Sequence, residues 1–132
     1  MTEYEAWTLM AAFFTSIAVF FLGLIVAVWL GFRMSNYIYE AGNSPMIAKA
    51  LTTAYCLCVA FFMFINLSQN VSLLNDFAAI FSQLAENTEI SEAARRLADT
   101  DTTVQNIVNL VFVLSIIVFQ MAGVWMKKSD YL

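Results

Sequence analysis

Histidine is absent from this sequence, and charged residues make up only 12% of it. Without histidine the chain lacks the commonest metal ligand and the usual general base at neutral pH. The basic residues are scattered, so they form no patch of the kind that binds nucleic acid. The sequence also has no phosphate-binding loop, nucleophile elbow, zinc motif or dinucleotide fingerprint. We therefore expect a non-enzyme with no catalytic residue, no cofactor, no metal and no nucleic-acid partner.

Cysteine and proline are scarce, and their positions carry information. Cys56 and Cys58 are two positions apart inside an apolar stretch. Residues two apart on a helix point to nearly opposite sides, so these thiols cannot pair and are interpreted as small apolar residues. The single proline, Pro45, follows Ser44. This pair predicts the start of a helix, with Ser44 as the N-cap and Pro45 at the first helical position.

Hydrophobic residues, in contrast, make up 61% of the chain, well above the roughly half that is usual in a soluble domain. Three long uncharged runs carry them, and about 20 apolar residues suffice for a helix to cross a bilayer. The first run follows acidic rather than basic residues, which indicates a retained helix and not a signal peptide. We predict an all-α integral membrane protein, with one transmembrane domain over residues 1–132. Its three spans are expected at about 6–32, 47–67 and 104–126.

Capping signals place the ends of these helices. Thr2 with Glu5 and Thr102 with Gln105 both match a capping box, in which a hydroxyl and a side chain three residues later satisfy free backbone N–H groups. No helix breaker separates the first span from Gly42, which suits the left-handed position after a helix. The first helix is therefore expected to begin at Thr2 and to continue past the apolar run to Gly42.

The second loop, residues 68–103, is expected to be helical and to lie on the outer side. After a polar break at 68–70, apolar residues recur with a helical period. They predict an amphipathic helix that lies in the membrane interface or packs on a neighbouring protein, with Val71, Leu74, Phe77, Ile80, Phe81 and Leu84 on its apolar face and Asn75, Asp76, Gln83 and Glu86 turned away. A short polar helix is expected next, capped by Thr88 and supported by Glu92 and Arg96.

Small residues four apart indicate where helices pack. Such stripes let backbones approach closely, which in lipid takes the place of the hydrophobic effect. The predicted packing positions are Gly23, Ala27 and Gly31 in the first span and Ala50, Ala54 and Cys58 in the second. Gln120 lies inside the third span, where an unpaired amide is costly, so we expect it to bond another helix. The stripes could join these three helices to each other or to a different protein.

Basic and aromatic residues predict the membrane boundaries and the orientation. The expected anchors are Arg33, Lys49, Trp125, Lys127 and Lys128. Because positive residues near span ends favour the cytoplasmic side, we predict the first loop and the C-terminus inside and the N-terminus outside. The membrane is expected to be a bacterial-type inner membrane or the internal membrane of a virion. The spans hold more phenylalanine than three helices can bury, and lipid, a pigment or quinone, and partner subunits are the alternative neighbours.

Three functional hypotheses follow from these features. The leading one is a non-catalytic structural or accessory subunit of a larger membrane assembly, whose partners are the lipid bilayer and other membrane subunits or copies of the chain itself. The second is an oligomeric pore, for which the third span offers Gln105, Asn109, Ser115 and Gln120. The third is a membrane enzyme using Tyr55, Cys56 or Cys58.

The pore hypothesis has one topological parallel. Three spans with the N-terminus outside and the C-terminus inside resemble the arrangement of some phage holins. The resemblance is one of topology, and it implies a protein that oligomerises to open a lesion in the bilayer.

Overall fold

The computed structural model describes residues 1–126, and within that range it is helical without any strand. Its four helices are α1 (Glu3–Ala41), α2 (Met46–Asn87), α3 (Glu92–Ala98) and α4 (Thr103–Trp125). Helices α1, α2 and α4 are long and apolar enough to cross a membrane. The all-α class and the three helices of spanning length and composition are therefore confirmed.

Helix α1 begins and ends where its capping residues predict. The Thr2 hydroxyl accepts the N–H of Glu5 at 3.2 Å. At the other end, Gly42 adopts a left-handed conformation with φ of 74°, and its N–H donates to the Ile38 carbonyl at 3.2 Å. The 39 residues of α1 span about 58 Å, which is roughly twice the thickness of a hydrocarbon core.

Helix α2 corrects two expectations. It runs without a break from Met46 to Asn87, so the predicted separate amphipathic helix is wrong. The polar residues at 68–70 contain neither glycine nor proline, and each one keeps its helical backbone hydrogen bond. The N-cap of α2 is Pro45 and not Ser44, and no side chain caps this end.

Short polar contacts set the turn that carries α3. Thr88, which was the expected cap of this helix, instead ends α2, where its N–H donates to the Leu84 carbonyl at 2.9 Å. The N-cap of α3 is Ser91, whose hydroxyl accepts the N–H of Ala94 at 3.2 Å. Along α3, the predicted pair of Glu92 and Arg96 forms an ion pair at 3.0 Å.

Helix α4 begins beside α2. Thr102 is its N-cap, as predicted, but the capping box with Gln105 is absent and the Thr102 side chain caps no backbone group. Its hydroxyl instead donates to the Asn75 side chain at 3.3 Å. Asp101 supplies the missing cap, since its carboxylate accepts the N–H of Thr103 at 3.0 Å.

Two apolar clusters hold the helices together. The central cluster joins the three long helices through Leu24, Ala60, Met63 and Val113. The second cluster lies near the start of α1, where this helix meets the last turns of α2 and helix α3. We call it the cap cluster, and its buried members are Ala6, Phe77, Phe81, Ile90 and Ala94.

Candidate functional site: the helix-packing surfaces

The three long helices come into close contact toward the end that carries the first loop. We call this region the crossing layer, and its residues are Gly31, Ser35, Cys56, Gln120 and Gly123. A Cβ atom added to Gly31 would lie 2.6 Å from the Gln120 amide nitrogen and 3.3 Å from the Cys56 sulfur. A Cβ atom added to Gly123 would lie 3.0 Å from the Cβ of Ser35. Only glycine therefore permits these contacts without displacement of a neighbour.

Polar side chains of α2 and α4 approach main-chain carbonyls of α1. Each such carbonyl has a second lone pair available beside its helical bond, so it can accept a proton from a neighbouring helix. The donor and acceptor pairs are Tyr55 to Ala27 at 3.0 Å, Cys56 to Gly31 at 4.0 Å, Asn66 to Ile17 at 3.5 Å, and Gln120 to Val28 at 3.2 Å. Helix α1 is thus the common acceptor along much of its length.

Two polar atoms of the crossing layer are buried without a hydrogen-bond partner among the described residues. They are the Ser35 hydroxyl and the carbonyl oxygen of the Gln120 side chain. Both residues are almost fully buried, with 2% and 1% of their surface exposed. The Gln120 amide group is therefore half-satisfied, since its nitrogen donates to α1 while its oxygen accepts no bond within residues 1–126.

The predicted packing positions fall into two groups. Gly31 and Gln120 meet in the crossing layer, and Ala27 provides the carbonyl that Tyr55 reaches. Gly23 has no atom within 4 Å of the position where a Cβ would lie. The stripe on α2 is exposed at all three of its positions, Ala50, Ala54 and Cys58. None of these three residues is buried against another helix of the chain, and we call them the open stripe.

Three of the predicted anchors lie at the end of the molecule that carries the first loop. The Arg33 guanidinium lies 5.3 Å from the centre of the Trp29 ring. The Lys49 ammonium lies 5.8 Å from the Trp125 ring, and the Trp125 indole N–H donates to the Thr53 hydroxyl at 3.0 Å. The helix pair α2–α4 is therefore tied together at this end. Lys127 and Lys128 lie outside the described residues.

The cap cluster gives the amphipathic part of α2 a different role from the one expected. Phe77 and Phe81 of its apolar face are 3% and 0% exposed, and Trp7 of α1 lies 4.8 Å from Phe81 between ring centres. Phe77 and Phe81 of this face pack on α1 and α3 of the same chain. The polar residues predicted to turn away are exposed, and these are Asn75, Asp76, Gln83 and Glu86.

Glu3 joins the first turn of α1 to the first turn of α3. Its carboxylate accepts the Ser91 hydroxyl, the Ser91 N–H at 3.3 Å and the Trp7 indole N–H at 3.3 Å. The hydrogen bond from the Ser91 side chain is the main reason that the pKa of Glu3 lies below its ordinary value, and the bond from Trp7 adds to it. Since Ser91 also caps α3, one carboxylate holds both helix ends in register.

Charge is distributed unequally between the two ends. The end with the cap cluster carries two arginines, Arg95 and Arg96, and eight of the ten acidic residues, which are Glu3, Glu5, Asp76, Glu86, Glu89, Glu92, Asp99 and Asp101. At Asp101 the N–H and hydroxyl of Thr103 lower the pKa of the carboxyl. Arg33 and Lys49 lie at the opposite end. The fold thus brings the acids of the first turn of α1 beside those of the second loop.

The residues proposed for a pore or an enzyme do not converge. On α4, Gln120 is buried against α1, while Ser115 is exposed and donates to the Val111 carbonyl of its own helix at 2.8 Å. On α2, Cys56 is buried and Cys58 is exposed, so the two free thiols face opposite sides as predicted. Within residues 1–126, no group of three or more cysteine, aspartate or glutamate residues is placed to hold a metal ion.

Sequence reasoning missed two residues of the crossing layer. Ser35 follows Arg33, the residue that ends the apolar run, yet it is buried between helices. Gly123 belongs to no stripe, but it lies three residues after Gln120 and therefore on the same helix face. That spacing from a polar residue inside a span is the one signal that could have identified it.

Comparison of the chain with protein-family models, with curated proteins and with solved structures finds no match.

Proposed function

We propose that the chain inserts α1, α2 and α4 into a bilayer and serves as a non-catalytic structural or accessory subunit of a larger membrane assembly. The observation that carries this proposal is the open stripe on α2. Small residues four apart allow close helix contact in lipid, and Ala50, Ala54 and Cys58 are exposed although two other long helices are available to cover them. A helix of a partner subunit is the neighbour that such a surface fits.

The shape of the molecule supports the same proposal. No large hydrophobic residue between Phe64 and Val104 is exposed, whereas exposed ones are frequent on α1, on the first half of α2 and on α4. Lipid and partner helices would cover that apolar region, while the end with the cap cluster would lie in water. In the assembly, the chain would add a packed three-helix unit to the bilayer and a compact acidic cap beside it.

The proposed orientation places the first loop and the C-terminus inside and the cap cluster outside. Arg33 and Lys49 gather at the end with the first loop, and positive residues near spans favour the cytoplasmic side. Arg95 and Arg96 of α3 belong to the end with the cap cluster and are separated in sequence from the ends of the apolar runs. The membrane of a multi-subunit complex and the internal membrane of a virion are both compatible with this arrangement.

Native purification in mild detergent tests the proposal. The wild-type chain and two variants are purified, and everything that accompanies each is identified and quantified by mass spectrometry. Ala54→Leu places a bulky side chain in the centre of the open stripe. Ala11→Leu is the matched control, since it makes the same change at an exposed position of α1.

We expect partner subunits to accompany the wild type and Ala11→Leu at a fixed ratio. We expect Ala54→Leu to lose them. Purification of the wild type alone, as a homo-oligomer that releases dye from vesicles, would overturn the subunit proposal and favour the pore. Equal loss of partners from both variants would show that the open stripe is not the contact surface.

A further inference from the structure

Two grooves border the end of the apolar part of α1, and Arg33 and Tyr37 belong to both. One groove, of about 290 Å³, is completed by Leu30 and Met34. The other, of about 440 Å³, is completed by Trp29, Phe32 and Asn36. Since Arg33 and Tyr37 are four residues apart, they form a ridge along one face of the helix with a groove on either side.

The ridge is polar, basic and accessible, whereas the grooves beside it are mainly apolar. Arg33 and Tyr37 are both exposed, and Arg33 forms no ion pair within residues 1–126. Its side chain is instead held against the Trp29 ring at 5.3 Å. A guanidinium fixed in this way keeps its fork of N–H donors free for an anionic oxygen ligand.

We infer that α1 carries a binding site for a single anionic phospholipid, with the headgroup phosphate on the Arg33–Tyr37 ridge and one acyl chain in each groove. The guanidinium of Arg33 would pair with the phosphate, and the Tyr37 hydroxyl and the Asn36 amide are donors on the same helix turn. Position supports a lipid, because Arg33 directly follows the apolar run, which in an inserted helix would place it near the headgroup phosphates.

Two observations favour a lipid over a partner helix at this place. The grooves lie on both sides of the charge, which matches a headgroup with two chains. The neighbouring aromatic residues, Trp29 and Tyr37, are of the kind that concentrates at the membrane interface. The site requires insertion of α1 into a bilayer, but it does not require a partner subunit.

Native mass spectrometry of the purified chain measures this site directly. The protein is titrated in detergent with phosphatidylglycerol and, separately, with phosphatidylcholine. The variant Arg33→Gln removes the charge without changing the helix. Arg95→Gln is the matched control, because Arg95 is also an exposed arginine on a helix but lies at the opposite end of the molecule.

We expect one phosphatidylglycerol molecule to bind the wild type and the Arg95 variant more tightly than phosphatidylcholine does. Arg33→Gln should weaken the binding of phosphatidylglycerol about fivefold and abolish its preference over phosphatidylcholine. Equal binding of the two lipids by the wild type, or unchanged binding by Arg33→Gln, would overturn the inference. Displacement of the lipid by millimolar inorganic phosphate would assign the ridge to a free anion and overturn the lipid site.

Discussion

The cap cluster and the crossing layer are built from opposite kinds of side chain, although both join α1 to α2. The large side chains of the cap cluster, Phe77, Phe81 and Ile90, are aromatic or branched and almost fully buried, in the same cluster as Ala6 and Ala94. The crossing layer is small and polar, with glycine, serine and an amide at the contacts. The same pair of helices therefore changes its packing chemistry along its length.

The proposed bilayer explains this difference. In water, burial of apolar surface is worth about 25 cal/mol per Å², so large side chains are the efficient means of joining helices. In lipid that gain is absent, and close contact with interhelical hydrogen bonds replaces it. The change from one chemistry to the other along α1 marks the place where the helix would leave the hydrocarbon.

Removal of a large side chain from the cap cluster should have the largest effect. Phe81 of α2 has no exposed surface and contacts Trp7 of α1. Phe81→Ala should lower the free energy of unfolding of the cap by about 3–5 kcal/mol, because it removes buried apolar surface and leaves a cavity. Hydrogen exchange of residues 72–98 in nanodiscs measures the loss of protection.

The control for this prediction is Phe61→Ala on the same helix. Phe61 is 62% exposed, so its truncation should change the protection of the cap by less than about 0.5 kcal/mol. Similar losses for both variants would mean that the cap is not a separately packed unit in water.

Addition of a single methyl group to the crossing layer should have the next largest effect. In Gly31→Ala the new Cβ would lie 2.6 Å from the Gln120 amide nitrogen, so the amide must move and its bond to Val28 must weaken. We expect a destabilisation of about 1–3 kcal/mol, measured by unfolding in mixed micelles. Gly23→Ala is the matched control, because no atom lies within 4 Å of its Cβ position.

A double variant sharpens this second prediction. Combined with Gln120→Ala, the change at Gly31 should cost much less than it does alone, since the clashing amide is gone. Additive effects would show that the cost comes from the Cys56 side of Gly31 and not from the Gln120 amide.

The helices themselves were predictable because their signals are local. Thr2 and Gly42 fix the ends of α1 through their own backbone conformations, and uncharged runs of sufficient length predict the three apolar helices. The continuity of α2 was not predicted, since a polar segment at 68–70 interrupts the apolar pattern without interrupting the backbone hydrogen bonds. The apolar period of a sequence indicates which side chains are buried, but it does not show where a helix ends.

The packing surfaces were less predictable, because they depend on which face of a helix meets another. The stripe at Gly23, Ala27 and Gly31 has one regular spacing, yet only Gly31 lies in the crossing layer. The cap cluster depends on Ala6 and Ala94, which are far apart in sequence and become neighbours only when α3 folds back. No local pattern distinguishes such residues from ordinary alanines in helices.

The cap of α3 should contribute a smaller amount. Ser91→Ala removes the hydroxyl that accepts the Ala94 N–H and also the donor to Glu3. Loss of an N-cap costs about 0.5–2 kcal/mol, and the effect should appear as faster hydrogen exchange confined to α3 and the first turn of α1. Ser82→Ala, at an exposed position of α2, is the control. Equal exchange in both variants would contradict the capping role.

Acidification should produce the smallest effect, confined to the cap end. The pKa of Glu3 is lowered by its bonds from Ser91 and Trp7, and that of Asp101 is lowered by its bonds from Thr103. A carboxyl with a depressed pKa in the folded state stabilises the fold fully above its ordinary pKa. This stabilisation is lost as the pH falls through the lowered value. Thermal melts between pH 6 and pH 3 should therefore show a falling midpoint.

Substitution of one carboxyl at a time separates the two contributions. Glu3→Gln should reduce the pH dependence of the melting midpoint, because the glutamine amide does not titrate. The amide also accepts weaker hydrogen bonds from Ser91. Asp101→Asn should remove the remaining part. Asp101 is exposed and Glu3 is only partly buried, so salt should weaken the effect of each. Retention of the full wild-type pH dependence by the double variant would show that the acid sensitivity does not arise from Glu3 and Asp101.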